Sequence, residues 1–214
     1  MTYDPYSVLG VSRDASEEEI KNISQIYIVA CGSAYHVGMA AQYVLEDLAR
    51  IPVRVELASE FRYRKPLLDK NGLAIIISQS GETADSLAAL REAKSKGVRT
   101  LGIVNVIGSS IAREADNVFY TLAGPEISVA TTKAYSTQLI ASYLLAIQFA
   151  KVREEITQEQ YDGLIAELQT LPERFRRSLM TKNAFIGLPQ NRSMRKIFSL
   201  LAVALIMPSV WKAA

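Results

Sequence analysis

Cysteine and histidine are almost absent from this chain of 214 residues. Cys31 is its one cysteine and His36 its one histidine. This composition excludes an intrachain disulfide, a cysteine-rich zinc site and a His-rich metal centre. A Ser-His-Asp triad would have to use His36, and we expect that side chain to be packed or hydrogen-bonded instead. We expect no metal and no cofactor, and a reducing, cytoplasmic compartment fits best.

Long apolar runs and blocks of like charge are missing as well. No run of about 18 apolar residues occurs, and the nearest candidate in the core, residues 139–150, is interrupted by Ser142 and Gln148. We therefore expect no membrane-spanning helix. The 24 basic and 22 acidic residues leave a net charge of +2. Because no Lys/Arg block could neutralise a row of phosphates, we expect no nucleic-acid surface.

A globular composition remains, in which strand and helix patterns alternate. Hydrophobic residues make up 49% of the chain and charged residues 21%, as in ordinary folded domains. Apolar runs predict strands at 26–31, 52–57, 73–77, 100–104 and 117–121. Helical spacing predicts helices at about 35–49, 83–96, 109–115 and 132–152. This alternation predicts an α/β fold: a three-layer sandwich around a five-stranded parallel sheet, flavodoxin-like, with strand order 2-1-3-4-5.

Both ends of the chain look foreign to this domain. Residues 1–22 contain Asp-Pro-Tyr-Ser-Val-Leu-Gly-Val and resemble the start of a J-domain co-chaperone. Ser16 and Glu19 form a capping box, which predicts a helix start. The His-Pro-Asp triplet of the J-domain family is absent, so the resemblance does not imply co-chaperone activity.

The C-terminal part divides into two predicted segments. Residues 153–187 read as a helical linker, with one helix over 156–168 and another that begins at Pro172. Residues 188–214 resemble a secretory signal peptide, because a basic segment precedes the apolar run 197–207. A C-terminal helix packed on the core and an exposed apolar tail are the two interpretations of that run.

A polar loop after the predicted third strand is the most informative segment. It reads Ser78-Gln79-Ser80-Gly81-Glu82-Thr83 and opens a predicted helix. In an open α/β sheet this position is the carboxyl edge, where ligands bind, and N–H groups at a helix start attract anions. Because the loop offers hydroxyls and an amide but no lysine or arginine, it suits a phosphate monoester. An ordinary helix cap by Ser80 or Thr83 is the alternative.

Two further loops are expected at the same edge of the sheet. Residues 31–35 follow the first strand, and residues 126–133 precede the long apolar helix, which Thr131 or Thr132 could cap. We expect the nearby carboxylates of Glu82 and Glu126 to be structural, since a helix N-terminus stabilises them. Cys31 ends a buried strand and is expected to be inert.

Four segments carry the motifs of a known family. They are Cys31-Gly32-Ser33-Ala34-Tyr35, Glu56-Leu57-Ala58-Ser59-Glu60-Phe61-Arg62-Tyr63-Arg64, the polar loop with the following Ala84-Asp85, and Glu126-Ile127-Ser128-Val129-Ala130-Thr131-Thr132-Lys133-Ala134. On these motifs, residues 24–171 resemble the first sugar-isomerase (SIS) domain of the isomerising glutamine–fructose-6-phosphate aminotransferases, the glucosamine-6-phosphate synthases. The core of this match, residues 24–152, is the predicted phosphosugar-binding domain.

The resemblance implies a set of substrate-binding residues. Four residues of the polar loop would hold the sugar phosphate: Ser78, Gln79, Ser80 and Thr83. Val129 and Thr131 would contact the sugar, although a serine is common at the position of Thr131. Ala34 stands where other members carry a serine, so that hydroxyl contact is lost or moves to Ser33.

The resemblance also implies that catalysis depends on parts not seen in this sequence. Family enzymes carry a glutaminase domain that begins with a cysteine nucleophile. Their second SIS domain supplies a glutamate base, a lysine and a histidine. This chain begins Met1-Thr2, and nothing after Leu171 repeats the SIS pattern. We therefore expect binding of fructose 6-phosphate or glucose 6-phosphate in hexosamine biosynthesis, without glutaminase or full isomerase activity, and assign no catalytic residue.

Two other functions remain open on the sequence. One is a stand-alone phosphosugar sensor, like the SIS domains attached to transcriptional regulators. The other is a fusion product without a selected function. We also expect a homodimer or pairing with a second SIS domain, because SIS domains resemble halves of a paired unit and an unpaired half leaves an apolar face exposed.

Overall fold

A computed structural model describes residues 17–125 and 132–180 of the chain. These residues belong to two compact units, and the boundary between the units follows Thr157. The first unit contains the sheet and its helices. The described residues of the second unit, Gln158–Met180, form one long helix.

Twelve elements follow one another along the described residues. They are α1 (Glu17–Lys21), β1 (Ile26–Ala30), α2 (Ser33–Ala49), β2 (Val53–Leu57), α3 (Ala58–Tyr63), β3 (Leu73–Ser78), α4 (Ala84–Ser95), β4 (Arg99–Val104), α5 (Ser110–Glu114), β5 (Asn117–Tyr120), α6 (Thr132–Val152) and α7 (Gln158–Met180).

The five strands form one parallel sheet in the order β2-β1-β3-β4-β5. Both the predicted α/β fold and the predicted strand order are confirmed. β1 and β3 are buried along their whole length, which explains why their sequences are continuous apolar runs rather than alternating ones. β2 lies at an edge and is partly exposed.

Helices cover both faces of the sheet, so the first unit has the predicted three layers. Successive strand residues point to opposite faces: Ile28 and Ile75 join the apolar cluster that also contains residues of α2 and α6. Val29 and Ile76 join the opposite cluster, which contains residues of α3, α4 and α5. The carboxyl ends of β1, β3 and β4 consequently open at one edge between the two helical layers.

Two features of the helices differ from the sequence predictions. Helix α3 follows β2 without a break and was not predicted, because six residues are too few to show a helical period. Pro172 does not begin a new helix, since α7 runs through it. A proline inside a helix lacks the N–H that would bond the carbonyl four residues earlier, here that of Leu168, and its ring crowds that carbonyl. Helix α7 nevertheless runs from Gln158 to Met180.

Several predictions concern residues that the structure does not describe. Of the J-domain-like residues 1–22, residues 1–16 lie outside the described ranges, and so do all of the signal-peptide-like residues 188–214. Among residues 17–125 and 132–180, no helix is long and apolar enough to cross a lipid bilayer.

Candidate functional site

The polar loop, residues 78–83, begins at the last residue of β3 and ends just before α4. β3 is the middle strand of the five, so the loop emerges between β1 and β4. This is the carboxyl edge of a parallel sheet, where open α/β folds bind their ligands. The structure therefore places Ser78, Gln79, Ser80 and Thr83 at this edge of the sheet.

Hydroxyl groups inside the loop hold its shape. Ser78 Oγ accepts a hydrogen bond from the N–H of Gly81 at 3.1 Å and lies 3.2 Å from Thr83 Oγ1. Ser80 Oγ accepts a bond from the N–H of Glu82 at 3.2 Å. Ser78 is 4% exposed, whereas Ser80 is exposed. The loop thus combines one buried and one accessible serine with a threonine at its end.

The alternative of an ordinary helix cap does not describe these hydroxyls. Thr83 occupies the N-cap position of α4, but its side chain makes no capping hydrogen bond. It pairs with Ser78 across the loop instead. Ser80 forms a short turn with the residue two positions ahead, a local pattern common for serine. The hydroxyls therefore shape the loop rather than close the helix.

The start of α4 is suited to an anion. N–H groups in the first turn of a helix have no intrahelical acceptor and carry the positive end of the helix dipole. Asp85 lies in this turn, but its carboxylate is paired with Arg62 at 3.0 Å, which reduces its repulsion of an anion. Gly81, with φ of +67°, allows the sharp turn that brings the main chain to this position.

Gln79 has an unsatisfied group in the described part of the chain. Its side-chain oxygen Oε1 is buried and has no hydrogen-bond partner there, while its main-chain oxygen accepts the N–H of Asn105 at 3.2 Å. A buried acceptor without a donor is costly. A ligand that offers a hydroxyl at this point would remove that cost.

The first predicted loop lies beside the polar loop. Ala30 and Ile77 are register partners on adjacent parallel strands, so the two loops leave the sheet side by side. Ser33 is exposed and is the first residue of α2. Cys31 lies one residue beyond β1 and is half-buried, and its sulfur accepts a long contact from Ser86 Oγ at 3.7 Å.

The third predicted loop falls outside the described residues. Val129 and Thr131 belong to the undescribed range 126–131. The chain leading to that range is anchored by Asn105, whose Oδ1 accepts the N–H of Ala123 at 2.7 Å and whose Nδ2 donates to the carbonyl of Gly124 at 2.9 Å. Sequence reasoning missed Asn105, although its place one residue after β4 is the signal that identified the other loops.

Candidate acid–base groups near the loop are engaged structurally. Glu82 accepts a hydrogen bond from the N–H of Ser110 at 2.7 Å. Hydrogen bonds from the side chain and main chain of Ser110 hold the pKa of Glu82 below its ordinary value, and the charge of Arg113 acts in the same direction. His36 is exposed, and its ring meets that of Tyr35 edge-on at 5.7 Å.

A cavity of about 260 Å³ lies elsewhere, at the amino ends of β3, β4 and β5. Leu73, Leu101 and Phe149 line it, with Asn71 and Asn117 among its polar residues. None of the predicted site residues that the structure describes lines it: Ser33, Ser78, Gln79, Ser80 and Thr83 all lie elsewhere. Within residues 17–125 and 132–180, no group of three or more His, Cys, Asp or Glu side chains could hold a metal ion.

Comparison with known proteins identifies relatives of the chain. The family model of the SIS domain matches residues 19–148. The glutamine–fructose-6-phosphate aminotransferase (isomerising) of Clostridium tetani is 52% identical over 183 residues, covering 86% of this chain and 30% of that protein. The enzyme of the same name from Clostridium acetobutylicum is 54% identical over 181 residues, covering 85% of this chain and 30% of that protein.

A solved structure shows the same relationship. The C-terminal domain of glucosamine–fructose-6-phosphate aminotransferase from Francisella tularensis superposes with a TM-score of 0.70 at 43% identity, covering 75% of this chain and 46% of that one. The chain spans about a third of the length of the curated relatives it matches.

Proposed function

The chain belongs to the SIS-domain family, and on that premise we propose that it binds a hexose 6-phosphate through the 78–83 loop. The observation that carries the proposal is the pair of hydroxyls, Ser78 Oγ and Thr83 Oγ1, 3.2 Å apart at the start of α4. Hydroxyl and N–H donors without a lysine suit a phosphate monoester, which one helix N-terminus can bind. A polyphosphate with Mg²⁺ would call for a P-loop lysine, which the loop lacks.

Each predicted binding residue has a role in this proposal. The phosphate oxygens accept hydrogen bonds from the loop through four residues: Ser78, Gln79, Ser80 and Thr83. Ser33 is the first residue of α2, which follows β1, the strand next to β3. It extends the site toward the sugar, and Val129 and Thr131 are further sugar contacts. Fructose 6-phosphate and glucose 6-phosphate are the candidate ligands, because the curated relatives are named for fructose 6-phosphate.

The proposed role is binding, as one part of a hexosamine-forming synthase, with no catalytic residue assigned to this chain. General-base catalysis needs an available group within reach of the abstracted proton. The carboxylate of Glu82 is already bonded to Ser110, which leaves it poorly suited to that task. Neither glutaminase nor full isomerase activity is proposed, and a cytoplasmic location stays a prediction.

Pairing with a second SIS domain or a second copy of the chain is also proposed. Three large apolar residues lie exposed near the site edge: Val106 at 46%, Ile107 at 72% and Leu122 at 72%. They follow β4 and β5, so they lie at the same edge as the polar loop. Apolar side chains gathered at one edge favour a protein partner there. Light scattering that gives a monomer would argue against self-pairing.

Calorimetric titration with glucose 6-phosphate tests the binding proposal. Charge-assisted hydrogen bonds contribute roughly 1.5–3 kcal/mol each, and ordering costs offset much of the sum. We expect a dissociation constant between about 1 mM and tens of µM, roughly −4 to −6.5 kcal/mol. Ser80→Ala should weaken binding about tenfold, since its hydroxyl is the accessible one.

The matched control removes a serine hydroxyl from the far end of the same helix. Ser95 is the last residue of α4, and its hydroxyl donates to the carbonyl of Glu92 at 2.8 Å. Ser95→Ala should bind glucose 6-phosphate as the wild type does. Wild-type affinity in Ser80→Ala would overturn the assignment of the loop.

A further inference from the structure

The 78–83 loop is hydrogen-bonded to the segment that follows β4. Two main-chain hydrogen bonds join them: the N–H of Asn105 donates to the carbonyl of Gln79 at 3.2 Å, and the N–H of Ile111 donates to the carbonyl of Gly81 at 3.0 Å. Both carbonyls are thereby occupied by donors of this segment. The conformation of the loop depends on residues about 26 to 30 positions later in the chain.

Glu82 adds a side-chain link between the same two segments. Its Oε1 accepts the N–H of Ser110 at 2.7 Å. Ser110 is the first residue of α5, and an N–H at that position has no intrahelical acceptor, so Glu82 satisfies it. Arg113 donates to Ser110 Oγ at 3.0 Å, which holds the donor side of the link in place.

Glu82 is linked to the loop through its main chain as well. Its N–H donates to Ser80 Oγ at 3.2 Å, so one residue joins the accessible serine of the loop to the start of α5. The side chain is exposed, so burial does not fix its orientation. The hydrogen bond to Ser110 does.

Resting on the proposed function, we infer that Glu82 is a positioning residue for phosphate binding. Its carboxylate ties the loop to α5 and holds the hydroxyl and N–H donors in the arrangement that receives the phosphate. Without this tie the loop samples other conformations. When only a fraction of molecules is competent to bind, the apparent dissociation constant rises in inverse proportion to that fraction.

The acceptor oxygen of Glu82, and not its negative charge, produces this effect. Glu82→Gln keeps an oxygen that can accept from Ser110, whereas Glu82→Ala removes it. A carboxylate that acted only by repelling the phosphate would give the opposite result, because both variants would then bind glucose 6-phosphate more tightly than the wild type.

The test measures glucose 6-phosphate affinity by calorimetry and the midpoint of thermal unfolding for each variant. Glu82→Ala is expected to raise the dissociation constant about five- to tenfold, and Glu82→Gln is expected to stay within about threefold of the wild type. Glu114→Ala is the matched control. The carboxylate of Glu114 lies at the end of α5. It too ties α5 to another segment, because it accepts hydrogen bonds from Arg91 of α4 at 2.7 and 2.6 Å.

A second variant removes the donor of the same hydrogen bond, the N–H of Ser110. Ser110→Pro removes the N–H that Glu82 accepts, at the first helical position, where proline is well tolerated. The preceding Ser109 has φ of −60° and ψ of 163°, which a following proline allows. This variant should therefore keep the fold and weaken binding about as much as Glu82→Ala.

The possible outcomes separate this inference from the proposed function. If the folded wild type does not bind glucose 6-phosphate, both are overturned. If the wild type binds and Ser80→Ala weakens binding, but Glu82→Ala and Ser110→Pro bind as the wild type does, the positioning role alone is overturned. Equal weakening by Glu82→Ala and Glu114→Ala would also overturn it, since that result reflects general loss of stability.

Discussion

The hydroxyl of Ser109 occupies the space that a side chain at Gly81 would need. A Cβ built on Gly81 would lie 2.1 Å from Ser109 Oγ and 2.5 Å from its Cβ. Ser109 is 2% exposed, and its hydroxyl has no partner within the described residues. The polar loop and the segment after β4 are therefore in direct van der Waals contact, in addition to their hydrogen bonds.

Gly81→Ala is expected to destabilise the protein and weaken phosphate binding. The residue has φ of +67°, which costs a non-glycine residue about 1 kcal/mol, and the contact with Ser109 adds roughly 1–3 kcal/mol of overpacking. Urea unfolding measures the loss. Adding Ser109→Gly should recover the overpacking part but not the backbone part. No recovery in the double variant would show that the contact is not the cause.

Asp116 is expected to make stability depend on pH below about 4. Desolvation raises the pKa of this carboxyl, but hydrogen bonds from Lys94 and Thr100 outweigh it and hold the pKa below its ordinary value of 3.8. A carboxyl group whose pKa is lower in the folded state than in the unfolded state stabilises the fold at every pH above its unfolded-state pKa. This stabilisation is lost as the pH falls through the folded-state pKa. The stability difference between the wild type and Asp116→Asn should shrink from pH 7 to pH 3.

The structural basis of this prediction is the set of hydrogen bonds that connects Asp116, just before β5, to β4 and α4. Asp116 Oδ2 accepts the N–H of Thr100 at 2.9 Å and its hydroxyl at 2.7 Å, and Lys94 lies 2.8 Å from Oδ1. Urea unfolding at several pH values checks it. A wild-type advantage that is constant between pH 7 and pH 3 would contradict the account.

Gly38 is expected to be required for the packing of α2 on the sheet. A Cβ at this position would lie 2.9 Å from Ile28 Cγ2 and 3.0 Å from Val55 Cγ1. Overpacking of this kind costs about 1–3 kcal/mol, which exceeds the gain of up to about 1 kcal/mol in helix propensity. Gly38→Ala should therefore lower the midpoint of thermal unfolding.

Gly163 provides the contrasting case in α7. A Cβ there would meet nothing within 4 Å, and the residue lies inside an α-helix. Gly163→Ala should increase the helicity of that segment, measured by circular dichroism, without lowering the unfolding midpoint. A loss of stability in Gly163→Ala as large as in Gly38→Ala would show that helix packing does not distinguish the two glycines.

The strands and the polar loop were predictable because their signals are local. The apolar run of β3 ends directly at Ser78. In a parallel sheet all strands end at the same edge, so the loops that follow them meet there. The bond between Glu82 and Ser110 joins residues 28 apart and depends on how α5 packs. No pattern within either segment indicates it. Helix α3 was not predicted because its six residues make fewer than two turns, which is too short for an apolar pattern to repeat.

Nuclear magnetic resonance of the backbone amides during a titration with glucose 6-phosphate tests the central claim most directly. The account predicts saturable shifts that are largest for the amides of residues 79–85, with the dissociation constant found by calorimetry. Ser80→Ala should reduce them. Shifts confined to the residues that line the 260 Å³ cavity at the opposite edge of the sheet, or no saturable shift in the folded protein, would contradict it.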